Sequence, residues 1–121
     1  MKQENVIQEK SFAFSVSIVK LHRLLRAERV ERETCSQLLK SGTSIGANVE
    51  EAIGGSSRKD FIHKLEIAYR EARETKYCLR LIHTTEDTMR PMIQETLERC
   101  DELIKILTAT LKTSKSSSVS T

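Results

Sequence analysis

A chain of 121 residues with 20 basic and 17 acidic side chains carries a formal charge of +3, too small by itself to announce nucleic-acid binding. Three Phe, two Tyr, no Trp and one Pro, against abundant Leu, Ile, Ala, Glu, Lys and Arg, give a helical composition around one core and leave little room for sheet. No apolar run approaches the roughly eighteen residues of a membrane span, residues 1–10 lack the apolar stretch of a secretory signal, and the three cysteines fit no ligand spacing, so the expected setting is a reducing cytoplasm.

The first helix is expected over roughly residues 6–27, with Ile7, Phe14, Ile18, Leu21 and Leu25 on its inner face and Asn5 as its cap. Between Ala27 and Glu33 there is neither Gly nor Pro. A turn is expected there, although a continuous helix through both segments stays open.

The second helix, roughly 32–53, carries Cys35, Leu38, Gly42, Ile45, Val49 and Ala52 at alternating steps of three and four. Gly42 and Gly46 lie one turn apart inside it, where each costs about 1 kcal/mol relative to Ala. Close packing against another helix would offset that cost, and an exposed face that tolerates glycine is the alternative. Beside this seam runs an all-polar stripe, Gln37, Ser41, Ser44, Asn48 and Glu51. On the third helix Glu71 and Glu74 occupy the equivalent flank. The two sets are expected to meet, either as a network that fixes helix register or as an interface.

The third helix, roughly 57–84, has the clearest seam: Phe61, Leu65, Ala68, Ala72, Thr75, Leu79 and Ile82. Ser57 and Asp60 resemble a capping box, with Gly54 and Gly55 as the stop before it. The fourth helix, roughly 90–112, opens with Pro91 in its first turn and carries Ile93, Leu97, Cys100, Ile104, Leu107 and Leu111. Residues 113–121, TSKSSSVST, read as a disordered Ser-rich tail. Four stripes of similar length with short connections predict an all-α, antiparallel up-and-down four-helix bundle over residues 1–112.

Charge is uneven. Lys20 to Lys40 and Arg58 to Arg80 are each net +3, whereas Glu95 to Glu102 is acidic. Arg73, Lys76 and Arg80 share one flank of the third helix, and with Arg58 and Lys59 they are the candidate phosphate contacts; an ordinary solvated surface is the alternative. Catalysis is not expected. His22, His63 and His83 lack the Glu three positions earlier that a di-metal bundle needs, and no nucleophile elbow or phosphate loop is present. Neither metal nor cofactor is called for.

The stretches QLLKSGTSIGANVEEA (Gln37 to Ala52), SSRKDF (Ser56 to Phe61) and KLEIAYREARETKYCL (Lys64 to Leu79) resemble the four-helix-bundle proteins encoded within intervening sequences of bacterial 23S ribosomal RNA genes. Ser44-Ile45-Gly46-Ala47-Asn48 followed by Glu51, and Glu71-Ala72-Arg73-Glu74-Thr75, are the most specific part. Ala52 stands where many members have Gly, and Cys78 where an aromatic is common. The resemblance implies a ring-shaped homo-oligomer, typically a pentamer, with a role linked to nucleic acid or the ribosome. A related and more basic branch, the accessory variability proteins of diversity-generating retroelements, implies a reverse transcriptase as partner. The functional expectation is a non-enzymatic homo-oligomer that binds RNA or DNA through basic surface residues. A scaffold that recruits another protein is the alternative.

Overall fold

The computed structural model describes residues 2–120, and side-chain surroundings for residues 4–116. Four helices follow one another: α1 (Lys2–Ala27), α2 (Arg32–Ile53), α3 (Arg58–Thr85) and α4 (Arg90–Ser120). α1 touches α2, α2 touches α3, α3 touches α4 and α4 returns to α1, with no contact across either diagonal among the described residues. That cycle, joined by short turns, is an antiparallel up-and-down bundle. Among the described residues the α1–α4 contact is the sparsest of the four.

The core forms where the four apolar stripes converge. Ile7, Ile18, Leu25, Leu38, Ile45, Leu65, Leu79, Ile93 and Leu107 are completely buried, and each such side chain contributes on the order of 1.5–3 kcal/mol by leaving water. Cys35, Cys78 and Cys100 are free thiols within this core.

The turn between α1 and α2 explains how a chain without Gly or Pro breaks its helix. Arg29 adopts φ 61, the left-handed region. Its N–H bonds Arg26 O, and the Val30 N–H reaches back to Leu25 O, both at 3.0 Å. This pairing is a Schellman stop, and buried Val30 supplies its apolar contact. Arg26 Nη1 donates to Val30 O at 2.8 Å and ties the turn down further. The continuous-helix alternative is thereby excluded.

At the next turn Ser57 caps α3 by accepting a hydrogen bond from the Asp60 N–H at 3.0 Å. Gly54 ends α2 with φ −80, so its stop needs no left-handed glycine. Gly55 serves differently: a Cβ there would collide with the Asp60 carboxylate.

Two boundaries differ from the sequence expectation. Asn5 lies inside α1, which starts at Lys2, and is no cap. α4 continues through residues 113–120 where a disordered tail was expected. Nothing after Pro91 breaks the helix, Ser114 is buried, and Lys115 pairs with Glu66 of α3 at 2.8 Å. Thr121 lies outside the described residues.

Candidate nucleic-acid interface

The polar stripe of α2 faces α3, and the hydroxyls of Ser41 and Thr75 meet across that seam, 2.9 Å apart. Ser44 Oγ instead donates to Lys40 O at 2.6 Å and Asn48 Nδ2 to Ser44 O at 2.9 Å. Local carbonyls thus take the donors that Glu71 and Glu74 were expected to receive. Glu51 pairs with Lys64 at 2.9 Å. Gln37 and Glu74 are exposed. Burial, reinforced by the neighbouring Glu74 carboxylate, pushes the Glu71 carboxyl above its ordinary pKa of 4.5.

The two helical glycines face α1. A Cβ on Gly42 would sit 2.8 Å from Ile18 Cγ1 and 2.9 Å from Cγ2; one on Gly46 would lie 3.0 Å from Ser15 Oγ and 3.2 Å from the Ser11 carbonyl oxygen. Their small size serves packing within one chain, so it carries no information about contacts between copies.

The candidate cations divide. Lys76 points to α4 and pairs with Asp101 at 2.8 Å. Arg58, Lys59, Arg73 and Arg80 are exposed and form no ion pair among the described residues. Lys59, Arg73 and Arg80 belong to a longer outward stripe on α3: Lys59, His63, Glu66, Arg70, Arg73, Tyr77 and Arg80, at unbroken steps of four and three. Six of these seven are exposed, and the seventh, Glu66, is half-buried and bound to Lys115. The Lys115 ammonium, with weaker help from His63 and Arg70, holds the Glu66 carboxyl below its ordinary value of 4.5. At 1.5 Å per residue the stripe is about 31 Å long, roughly nine steps of a nucleic-acid strand in duplex form.

Beside the lower half of the stripe, α3 and α4 enclose an open groove of about 680 Å³. Tyr69 and Leu111 give it an apolar lining, Ile67 lies at its margin, and the exposed Arg70 and Lys112 border it from α3 and from α4. Elsewhere Val6, Phe12 and Val16 leave apolar side chains exposed on α1, Phe12 to 66%.

The model of the 23S rRNA-intervening sequence protein family matches residues 3–109. The chain belongs to this family. A crystal structure from Bacteroides thetaiotaomicron VPI-5482, described as a protein with unknown function from the S23 ribosomal protein family, is similar at 43% sequence identity and a TM-score of 0.86, covering 91% of this chain and 98% of that one. No curated protein matches. No described helix is long and apolar enough to cross a membrane.

In this member of the 23S rRNA-intervening sequence proteins, sequence reasoning missed His63, Arg70 and Tyr77 of the stripe and Tyr69 and Lys112 of the groove. The stripe was findable: the step of four and three that exposes the inner seam of α3 also selects its outer face. The groove was not, because part of its α4 wall lies at the boundary of the segment expected to be unstructured.

Proposed function

We propose that this chain is a non-enzymatic RNA-binding protein that works as a homo-oligomer, a ring of five, in a setting tied to ribosomal RNA. The observation that carries the reading is the outward stripe of α3, where Lys59, Arg70, Arg73 and Arg80 are exposed and the one acid is already neutralised by Lys115. Phosphate contacts are its mechanism, and base reading is minor with Tyr77 as the stripe's single aromatic. Repetition of the stripe around a ring multiplies a patch that is modest on one copy. The exposed Val6, Phe12 and Val16 supply an apolar face for association between copies. Against catalysis, the thiols are buried, and burial pushes Cys100 up to about 12, far from a thiolate at neutral pH.

RNA titrations by fluorescence anisotropy at increasing salt, alongside native mass spectrometry, test both halves. Affinity that falls steeply with salt and collapses in Arg70→Glu with Arg73→Glu supports RNA binding; absence of binding at low salt overturns it. A monomer at micromolar concentration overturns the ring.

A second reading is an accessory subunit that recruits another protein, such as a reverse transcriptase. It draws on the exposed Tyr77 and Leu81, which border a cleft of about 390 Å³ with Glu33 and Glu74. Loss of a protein partner on Leu81→Asp, with RNA affinity unchanged, favours that reading.

A further inference from the structure

The groove between α3 and α4 has a composition that a solvated surface does not need. Its apolar lining includes a tyrosine ring, and its volume of about 680 Å³ falls within the range of small-ligand sites. Cations border it from both helices, Arg70 from α3 and Lys112 from α4, with Lys115 beside them and Glu66 as the one carboxylate. Lys115 already holds Glu66 at 2.8 Å, so an incoming anion meets no free carboxylate in the groove. A ligand that matches both halves joins a planar apolar ring to an anion. Arg70 presents a planar fork of donors suited to phosphate oxygens.

We infer that this groove is a seat for one nucleotide unit, its base against Tyr69 and Leu111 and its phosphate between Arg70 and Lys112. His63 and Arg70 belong to both the groove and the outward stripe, so a strand following the stripe can place one unstacked base in the groove without leaving its line of phosphate contacts. This deepens the RNA-binding reading, and rests on it for the claim that the nucleotide belongs to a strand. Recognition of an unpaired base gives the protein a preference for single-stranded RNA over duplex, because a paired base keeps its face inside the stack.

The test measures anisotropy of a fluorescein-labelled twelve-nucleotide oligo(A) RNA with the full chain, and amide shifts of the same protein titrated with AMP. Tyr69→Leu keeps apolar volume but removes the ring, and is expected to weaken the RNA about tenfold with little change in salt dependence. Tyr69→Phe retains affinity. Lys112→Glu is expected to weaken binding more than Arg32→Glu, the same charge reversal at the opposite end of the bundle. Circular dichroism confirms that each variant is folded. Equal losses for Lys112→Glu and Arg32→Glu, or no loss for Tyr69→Leu, overturn the groove while RNA binding by the stripe stands. If the wild-type chain binds no RNA, the functional reading fails, and AMP decides the groove: shifts at Tyr69, Arg70 and Lys112 support a site for free nucleotide, and no shifts overturn it.

Discussion

Thr75 Oγ1 and Ser41 Oγ lie 2.9 Å apart at the centre of the α2–α3 seam, each in a residue with no solvent exposure. Thr75 Oγ1 also sits 2.7 Å from Glu71 O, whereas the other partner of Ser41, Leu38 O, is 3.5 Å away. The pair is therefore unequal. Thr75→Val leaves Ser41 only its long contact to Leu38 O and should cost about 1–2 kcal/mol, while Ser41→Ala leaves Thr75 with its close carbonyl and should cost about 0.5–1 kcal/mol. The double variant should recover much of the Thr75→Val loss. Urea denaturation of the three variants checks this; additive losses would show that the two hydroxyls are not coupled.

Gly42 and Ile18 give a second coupled pair. Gly42→Ala gains about 1 kcal/mol of helix propensity but drives a methyl into Ile18, an overpacking that costs about 1–3 kcal/mol. The expected net effect is a loss of about 1 kcal/mol. In an Ile18→Ala background the same methyl enters the space left by the missing Cγ atoms, and Gly42→Ala should become stabilising. The denaturation midpoints of the four proteins decide, and a penalty unchanged by Ile18→Ala would place the clash elsewhere.

Arg29 carries its left-handed backbone without the freedom of glycine. Arg29→Gly should raise stability by about 1 kcal/mol, since the conformation costs an L-residue about 1–2 kcal/mol and glycine loses part of that gain to its looser unfolded chain. Arg29→Val should destabilise. Thermal unfolding by circular dichroism measures both.

Glu71 sets a pH dependence. Its folded pKa is raised by burial and then by Glu74, so the folded state holds its proton more tightly than the unfolded chain does. Its contribution to stability is present below 4.5 and is lost as pH rises through the folded value. Glu71→Gln should therefore stabilise at pH 7 by about a few tenths of a kcal/mol after solvent screening, with the gain vanishing near pH 4. A gain that is equal at both pH values would assign it to packing instead.

Lys76 and its neighbours separate by pairing. Arg73→Gln with Arg80→Gln should lower the slope of log affinity against log salt by about 1.4 for single-stranded RNA, two phosphates at about 0.7 each. Lys76→Gln, whose ammonium is held by Asp101, should leave the slope unchanged.

The fold was legible because the inner stripes are regular. Ile45 and Val49, or Leu65 and Ala72, recur at steps that only a packed helix uses, and Ser57 with Asp60 marks the start of α3. The α1–α2 turn was less so, because its stop lies in the φ of Arg29, which no residue type there announces. The polar stripe misled for a different reason. Spacing places Ser44 and Asn48 on the α3 side but cannot say that each turns to a carbonyl of its own helix. Likewise the 4–3 step groups Arg73 with Arg80 on one face, while Lys76 needed the position of Asp101 to be seen as paired. The length of α4 escaped because Ser-rich composition speaks for solvent, whereas Ser114 is buried by α4's continuation along its neighbours.

The sparse contact between α1 and α4 gives the bundle a spine and two covers. The edge where α1 and α4 meet is crossed by Lys10 with Glu102 at 3.2 Å and Arg99 with Ser17 at 3.0 Å, beside the buried Phe14 and Leu103. Charged contacts of this exposed kind hold little energy. Opening is therefore expected first along that edge, as a book opens, with the α2–α3 seam as its binding. Amide hydrogens at Phe14 and Leu103 should exchange with solvent ahead of those at Ser41 and Thr75.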